Sequence, residues 1–127
     1  MNRAVVDASA VLAFALREPG WNTAEPLLVG SLINAINVAE VTSRVMAHGA
    51  SLAEARLLVS ELHLDVASLE PEQAFLTGEL HRETRAYGLS LADCACLALA
   101  RARRLPAVTA DRAWADLAID VEVVLIR

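Results

Sequence analysis

A short apolar run followed at once by a helical segment, recurring along the chain, is the feature that most restricts the fold. Arg3-Ala4-Val5-Val6-Asp7 is β-rich and ends in an acid, and Ser9 to Leu16 continues as an Ala- and Leu-rich helical stretch until Glu18-Pro19-Gly20 breaks it. A second helix is expected from about Trp21, a strand at Ser31 to Ile33, and helix starts at Asn34 and Asn37. Val38, Val41 and Val45, with Met46 beside them, make one face of a helix that ends at His48-Gly49. Ser51 caps a helix over 52–62, with Ala55, Leu58, Val59 and Leu62 on one side. Val66 to Leu69 reads as a strand, and Pro71 suits the first turn of a helix running to Tyr87-Gly88. Ser90 to Arg104 is a further helix, Ala107-Val108-Thr109 a strand, Asp111 to Leu117 a short helix, and Val121 to Ile126 the last strand. Short, apolar strands that alternate with helices predict an α/β fold in which a parallel sheet is covered on both faces. No repeat, linker or low-complexity tract interrupts the pattern, so residues 1–127 read as one domain. In such sheets ligands bind beyond the carboxyl ends of the strands, where the topology switches direction.

Composition narrows the class. With 56% apolar residues, 4 Pro and 5 Gly, the chain can bury a core and is not intrinsically disordered. Its 11 basic residues are all arginine, each able to bind carboxylate or phosphate bidentately. A net charge of −5 does not suit a nonspecific nucleic-acid coat. Cys94 and Cys96 are two apart on a helix and cannot pair, so they read as small buried hydrophobes of a reducing cytoplasm. Arg3, an apolar run and Ala13-Phe14-Ala15 imitate a signal peptide, but Asp7 interrupts the apolar region. No uncharged stretch reaches the roughly 18 residues needed to span a bilayer, and no membrane association is expected.

Four acids fall at element boundaries. Asp7 ends the first strand, Glu40 lies early in the third helix, Asp93 is in the first turn of a later helix, and Asp111 follows the Ala107 to Thr109 strand. Each has a local explanation as a cap. Asp7 and Asp111 are N-cap types, Asn37-Val38-Ala39-Glu40 has the spacing of a capping box, and Ser90-Leu91-Ala92-Asp93 matches that motif directly. Taken together they carry a second meaning, because Glu40 and Asp93 have Val, Ala, Leu and Cys neighbours that place their carboxylates beside the core. Carboxylates gathered in a low-dielectric cleft repel unless a cation neutralises them. An all-oxygen set suits Mg²⁺ or Mn²⁺ better than Zn²⁺. Such a metal activates a water and stabilises charge on a phosphoryl oxygen, which points to phosphodiester hydrolysis.

These residues resemble the PIN domain family. Val5-Val6-Asp7-Ala8-Ser9-Ala10-Val11-Leu12 is similar to its opening motif, Asn37-Val38-Ala39-Glu40-Val41 to the second, Leu89-Ser90-Leu91-Ala92-Asp93-Cys94 to the third, and Val108-Thr109-Ala110-Asp111-Arg112 to the fourth. Order, spacing and length resemble the stand-alone bacterial members, the VapC-type toxins of toxin–antitoxin pairs. The resemblance implies a three-layer α/β/α fold with a short, mainly parallel five-stranded sheet. It also implies a Mg²⁺- or Mn²⁺-dependent endoribonuclease in which Asp7, Glu40, Asp93 and Asp111 bind metal and position the attacking water. Ser9 and Thr109 match hydroxyl positions that line the family's site. The implied partners are the RNA substrate, a second copy in a homodimer, and a small antitoxin whose C-terminal segment lies over the groove. Asn34 and Asn37 stand before Glu40 where many relatives have a Pro.

Other residues carry weaker signals. Arg112, directly after Asp111, suits an RNA phosphate or a surface ion pair, and Asp116 is a peripheral acid in the same short helix. Arg101, Arg103 and Arg104 favour a helix C-terminus, with phosphate binding the sharper alternative. His48, His63 and His81 are dispersed and read as structural or solvated, and Trp21 and Trp114 as packing residues before base-stacking ones. The aliphatic stretches Ser9 to Leu16 and Leu27 to Val29 are expected to supply contact to a partner. A haloacid-dehalogenase-type phosphatase would want a second Asp where Ser9 stands, and a receiver domain needs a Lys that the chain lacks. A catalytically inactive PIN-like binding module, its acids serving only as caps, is the non-enzymatic alternative.

Overall fold

The computed structural model describes residues 3–127. Its frame is a sheet of β1 (Val5–Val6), β2 (Leu32–Asn34), β3 (Asp65–Ala67), β4 (Ala107–Thr109) and β5 (Val123–Leu125), every pairing parallel, in the order β3-β2-β1-β4-β5. Among the described residues six helices connect the strands: α1 (Ala8–Ala15), α2 (Trp21–Leu28), α3 (Ala35–Ala47), α4 (Leu52–Glu61), α5 (Pro71–Glu83) and α6 (Leu91–Arg103). Short 3-10 turns cover Arg85–Tyr87 and Arg112–Asp116. This is the expected three-layer α/β/α arrangement.

Period-two alternation along the strands divides the interior into two cores. Val6, Ile33 and Val108 share a register row and pack with Val11, Leu28, Val41 and Ala55 of α1 to α4. Val5, Leu32 and Ala107 form the neighbouring row and pack on the opposite face with Leu80 of α5, Leu97 and Leu99 of α6, and Trp114. The division follows from chain direction. The first two crossovers step from β1 to β2 to β3, and the third steps back over β1 to β4; connections of one hand must then change face. The reversal leaves a crevice at the carboxyl ends of β1 and β4, the place where ligands bind such sheets.

Several boundaries differ from the sequence expectation for identifiable reasons. β3 is Asp65–Ala67 rather than Val66–Leu69, because pairing with Leu32–Asn34 sets its register and, as an edge strand, it leaves Asp65 and Val66 exposed. β5 is likewise a half-buried edge shortened to Val123–Leu125. The segment after Asp111 is a 3-10 turn, with Trp114 N–H on the Asp111 carbonyl and Leu117 N–H on that of Trp114. α5 stops at Glu83, where the Thr84 hydroxyl donates to the Leu80 carbonyl.

The stretch Ser9 to Leu16, expected to supply contact to a partner, is turned inward over most of α1, with Phe14, Ala15 and Leu16 half-buried. Ala8, Ala10, Val11, Leu12 and Ala13 are buried because α1 is packed against α2, α3 and the sheet. Leu28 is buried as well, leaving Val29 as the exposed member of the second stretch. Exposed apolar side chains lie instead on Ile36, Leu69, Leu91 and above all Phe75, 77% exposed. Trp114 is fully buried and presents no stacking face, and the Arg17 guanidinium lies 4.2 Å over the Trp21 ring, covering one of its faces.

Gly20 caps α2 with φ +90°, and a Cβ there would stand 2.6 Å from the Ile126 carbonyl oxygen. Gly20→Ala therefore combines left-handed backbone strain with a backbone clash, and should lower stability by on the order of 1–3 kcal/mol in chemical denaturation.

Candidate active site

At the carboxyl ends of the central strands lies a cleft of about 500 Å³. Asp7, Ala8, Ser9 and Leu12 contribute from the β1–α1 junction, Ile36, Ala39, Glu40, Ser43 and Arg44 from α3, Asp93 from α6, and Asp111 from the end of β4. All four acids singled out in the sequence thus line one cleft, although they come from four separate segments.

Asp7 is its buried floor. Its Oδ1 accepts from the Ala10 N–H (3.0 Å), which caps α1, and from the Ser9 hydroxyl (2.8 Å); its Oδ2 lies 2.6 Å from the Thr109 hydroxyl and 2.9 Å from that of Ser9. Both hydroxyls also accept from the backbone after β4. Ala110 N–H donates to Ser9 Oγ (2.9 Å) and Asp111 N–H to Thr109 Oγ1 (3.0 Å). Of the two hydroxyl residues that the resemblance implied for the site, Ser9 lines the cleft, whereas Thr109 is buried behind Asp7 and does not line it. Burial pushes the Asp7 carboxyl up from 3.8 to about 6; its bonds to Thr109, Ala10 and Ser9 oppose the rise, and the Asp93 charge adds to it.

The other three acids share one arrangement. One oxygen of each accepts an N–H, and the other makes no hydrogen bond among the described residues. Glu40 Oε1 accepts from Asn37 Nδ2 (2.9 Å), Asp93 Oδ2 from Ser90 N–H (3.0 Å), and Asp111 Oδ1 from Ala113 N–H (3.0 Å). Asp93 and Ser90 form the expected capping box, and Asp111 caps the 3-10 turn. The cap and site readings are thus compatible, since a carboxylate has two oxygens and a cap uses one. The Asn37–Glu40 capping box does not form. Asn34 is the N-cap of α3, accepting from Ile36 N–H, so Asn37 lies inside the first turn and its amide turns to the Glu40 side chain.

Burial drives the Cys96 thiol well above its ordinary range, and Asp7, Asp93 and Glu40 add to the rise. Arg44 was not singled out from sequence, yet it reaches the rim; its position one helical turn after Glu40 was the available signal. Arg112 and Asp116 are exposed on the 3-10 turn and do not line the cleft. Arg101 is engaged by Asp120, 2.8 Å from its Nε.

Among the described residues no three His, Cys, Asp or Glu side chains close into a ready metal cage. The donor chemistry nevertheless fits a hard divalent cation. The cleft offers carboxylate oxygens without hydrogen bonds and no His or Cys, and Mg²⁺ is commonly held by one or two carboxylates, waters and substrate phosphate rather than by a full protein cage.

A family model described as PIN domain matches residues 4–120. The chain belongs to the PIN domain family. No curated protein matches it. Among solved structures this PIN chain is similar to one from a toxin–antitoxin complex of Klebsiella pneumoniae, with TM-score 0.78 and 21% identity over 98% of each chain. It is also similar to Mycobacterium tuberculosis VapC20, described as a sarcin–ricin loop cleaving toxin, with TM-score 0.73 and 15% identity over 94% of this chain and 98% of that one. A third similarity is to DNA-bound VapBC of Salmonella typhimurium, with TM-score 0.69 and 18% identity over the whole of both chains. At these identities the likeness is one of fold. Among the described residues no helix is long and apolar enough to cross a membrane.

The raised Asp7 carboxyl fixes a pH dependence. Because the folded state binds this proton more tightly than the unfolded chain, the Asp7 contribution to stability falls as pH rises from 3.8 through about 6, by about 3 kcal/mol in full. In EDTA, the stability of wild type relative to Asp7→Asn should therefore fall between pH 4 and pH 7.5, because the variant lacks the titrating group. Urea midpoints at the two pH values check this.

Proposed function

We propose that the chain is a divalent-metal-dependent endoribonuclease and the toxin of a VapBC-type toxin–antitoxin pair. The observation that carries this reading is the set of four carboxylates on one cleft at the strand-order reversal, three of them with one oxygen held by an N–H and one left for a ligand. Asp7, Glu40, Asp93 and Asp111 would hold Mg²⁺ or Mn²⁺, which when bound supplies an activated water and neutralises charge developing on a phosphoryl oxygen. The chain's own residues supply positioning. Ser9, Thr109 and the Ala10 N–H keep Asp7 in one rotamer, and the Ser90–Asp93 box does the same for Asp93. Arg44, with Ser43 beside it at the rim, suits an RNA phosphate that approaches the acids. Among the described residues no aromatic side chain lines the cleft, so groove shape rather than base stacking would select the RNA.

The reading includes a homodimer and a small antitoxin in the cytoplasm. It draws support from the toxin–antitoxin complexes among the structures of like fold, and from apolar surface, Phe75 foremost, that the chain leaves uncovered. A second reading, a binding module without catalysis, draws on the fact that Asp7, Asp93 and Asp111 all serve as caps.

Two measurements separate the readings. For the nuclease, Mn²⁺ should raise the melting temperature, and a mixed RNA pool should be cut with Mg²⁺ or Mn²⁺ and spared in EDTA; Asp7→Asn combined with Asp93→Asn should remove both effects. RNA left intact with either metal, together with a melting temperature indifferent to metal, overturns the nuclease reading and leaves the binding module.

A further inference from the structure

Asn37 is a polar side chain in an expensive position. It is 1% exposed, and its Oδ1 is buried without a hydrogen-bond partner. An unpaired buried acceptor destabilises a fold, so a residue serving only to pack α3 would be better apolar. What Asn37 does have is a single nitrogen serving two acceptors. Nδ2 donates to Glu40 Oε1 at 2.9 Å and to the backbone carbonyl of Ala92 at 3.3 Å. The opposite amide orientation would set Oδ1 against a carboxylate oxygen, so the network itself fixes the flip.

The two acceptors belong to different helices. Glu40 is one turn further along α3, whereas Ala92 immediately precedes Asp93 in the first turn of α6, and both acids line the cleft. We propose that Asn37 is a positioning residue that holds the Glu40 carboxylate and the Asp93-bearing turn of α6 in mutual register for a divalent cation. The proposal rests on the metal-dependent reading above. An uncharged amide is the side chain this task requires. A carboxylate at position 37 would repel Glu40, and an arginine or lysine would neutralise the charge that attracts the cation, whereas the amide orients Glu40 Oε1 and leaves Oε2 without a hydrogen bond among the described residues.

The test uses the full chain and Mn²⁺ alone, with free Mn²⁺ read from its electron paramagnetic resonance signal. Asn37→Ala should keep a melting temperature in EDTA within a few degrees of wild type, since it removes an unpaired acceptor and favours helix, yet bind Mn²⁺ about 10–100-fold more weakly. RNA cutting should fall at low Mn²⁺ and recover when Mn²⁺ is raised. In a Glu40→Gln background the same change should add little further loss, because Asn37 acts largely through Glu40. Should Asn37→Ala not fold, Asn37→Leu, which fills the space without a donor, carries the same comparison. Wild-type Mn²⁺ affinity in the folded variant, or a loss that simply adds to that of Glu40→Gln, overturns the positioning role while leaving the nuclease reading in place. Absence of Mn²⁺ binding by the wild-type chain overturns both.

Discussion

Asp7 is a carboxylate kept almost wholly out of water at the end of a central strand, and much of the site is arranged around satisfying it. Two hydroxyls and one backbone N–H converge on its oxygens. Each of these bonds joins segments that the fold must bring together. The Ala10 N–H starts α1 directly off β1, Thr109 fixes the end of β4 beside β1, and Ser9 and Thr109 in turn take the N–H groups of Ala110 and Asp111. One buried charge therefore locates the two strands that flank the reversal, the first helix, and the backbone that carries a second acid. The hydrogen bonds do not fully offset desolvation, which is why the carboxyl remains raised to about 6.

The same economy governs the rim. Helix starts attract acids because their first N–H groups lack partners, and a cleft at the ends of parallel strands is built largely from helix starts. In Asp93 and Asp111 the cap consumes one oxygen and fixes the rotamer, leaving the other available. Glu40 lies deeper in α3, beyond reach of its own helix start, and an asparagine side chain takes over the part played elsewhere by backbone. Stability and ligand readiness are thus served by opposite oxygens of the same groups.

The acidic balance looks different once the site is in place. Of the net charge of −5, the four cleft acids account for −4, so the remainder of the chain is close to neutral and its 11 arginines are nearly matched. Acidity here is concentrated where a cation is expected and is a property of the cleft more than of the surface. A net charge that seems to oppose a nucleic-acid partner is for that reason weak evidence against one.

Much of this was legible in the sequence because it is local. The β-rich run from Arg3 that ends in Asp7, the Ser90–Asp93 spacing and the Pro71 start are short-range signals, and each marks an element that is present, the first as the two-residue strand Val5–Val6. The resemblance to PIN domains rested on four such signals in order. What the sequence left open was decided by contacts between distant segments. The register of β3 came from pairing with β2, the burial of α1 from being packed between the sheet and its neighbouring helices, and the place of Arg44 at the rim from the packing of α3. Asn37 shows the division most clearly. Its sequence spacing to Glu40 reads as a capping box, but the chain caps α3 with Asn34 instead, and only the approach of α6 gives the displaced amide its second acceptor. By itself the sequence determined which acids stand at helix starts, since backbone N–H groups a few residues away dictate that. Only the tertiary structure decided that those starts face one another, because this depends on the reversal of strand order between β1 and β4, a relation between residues about a hundred positions apart.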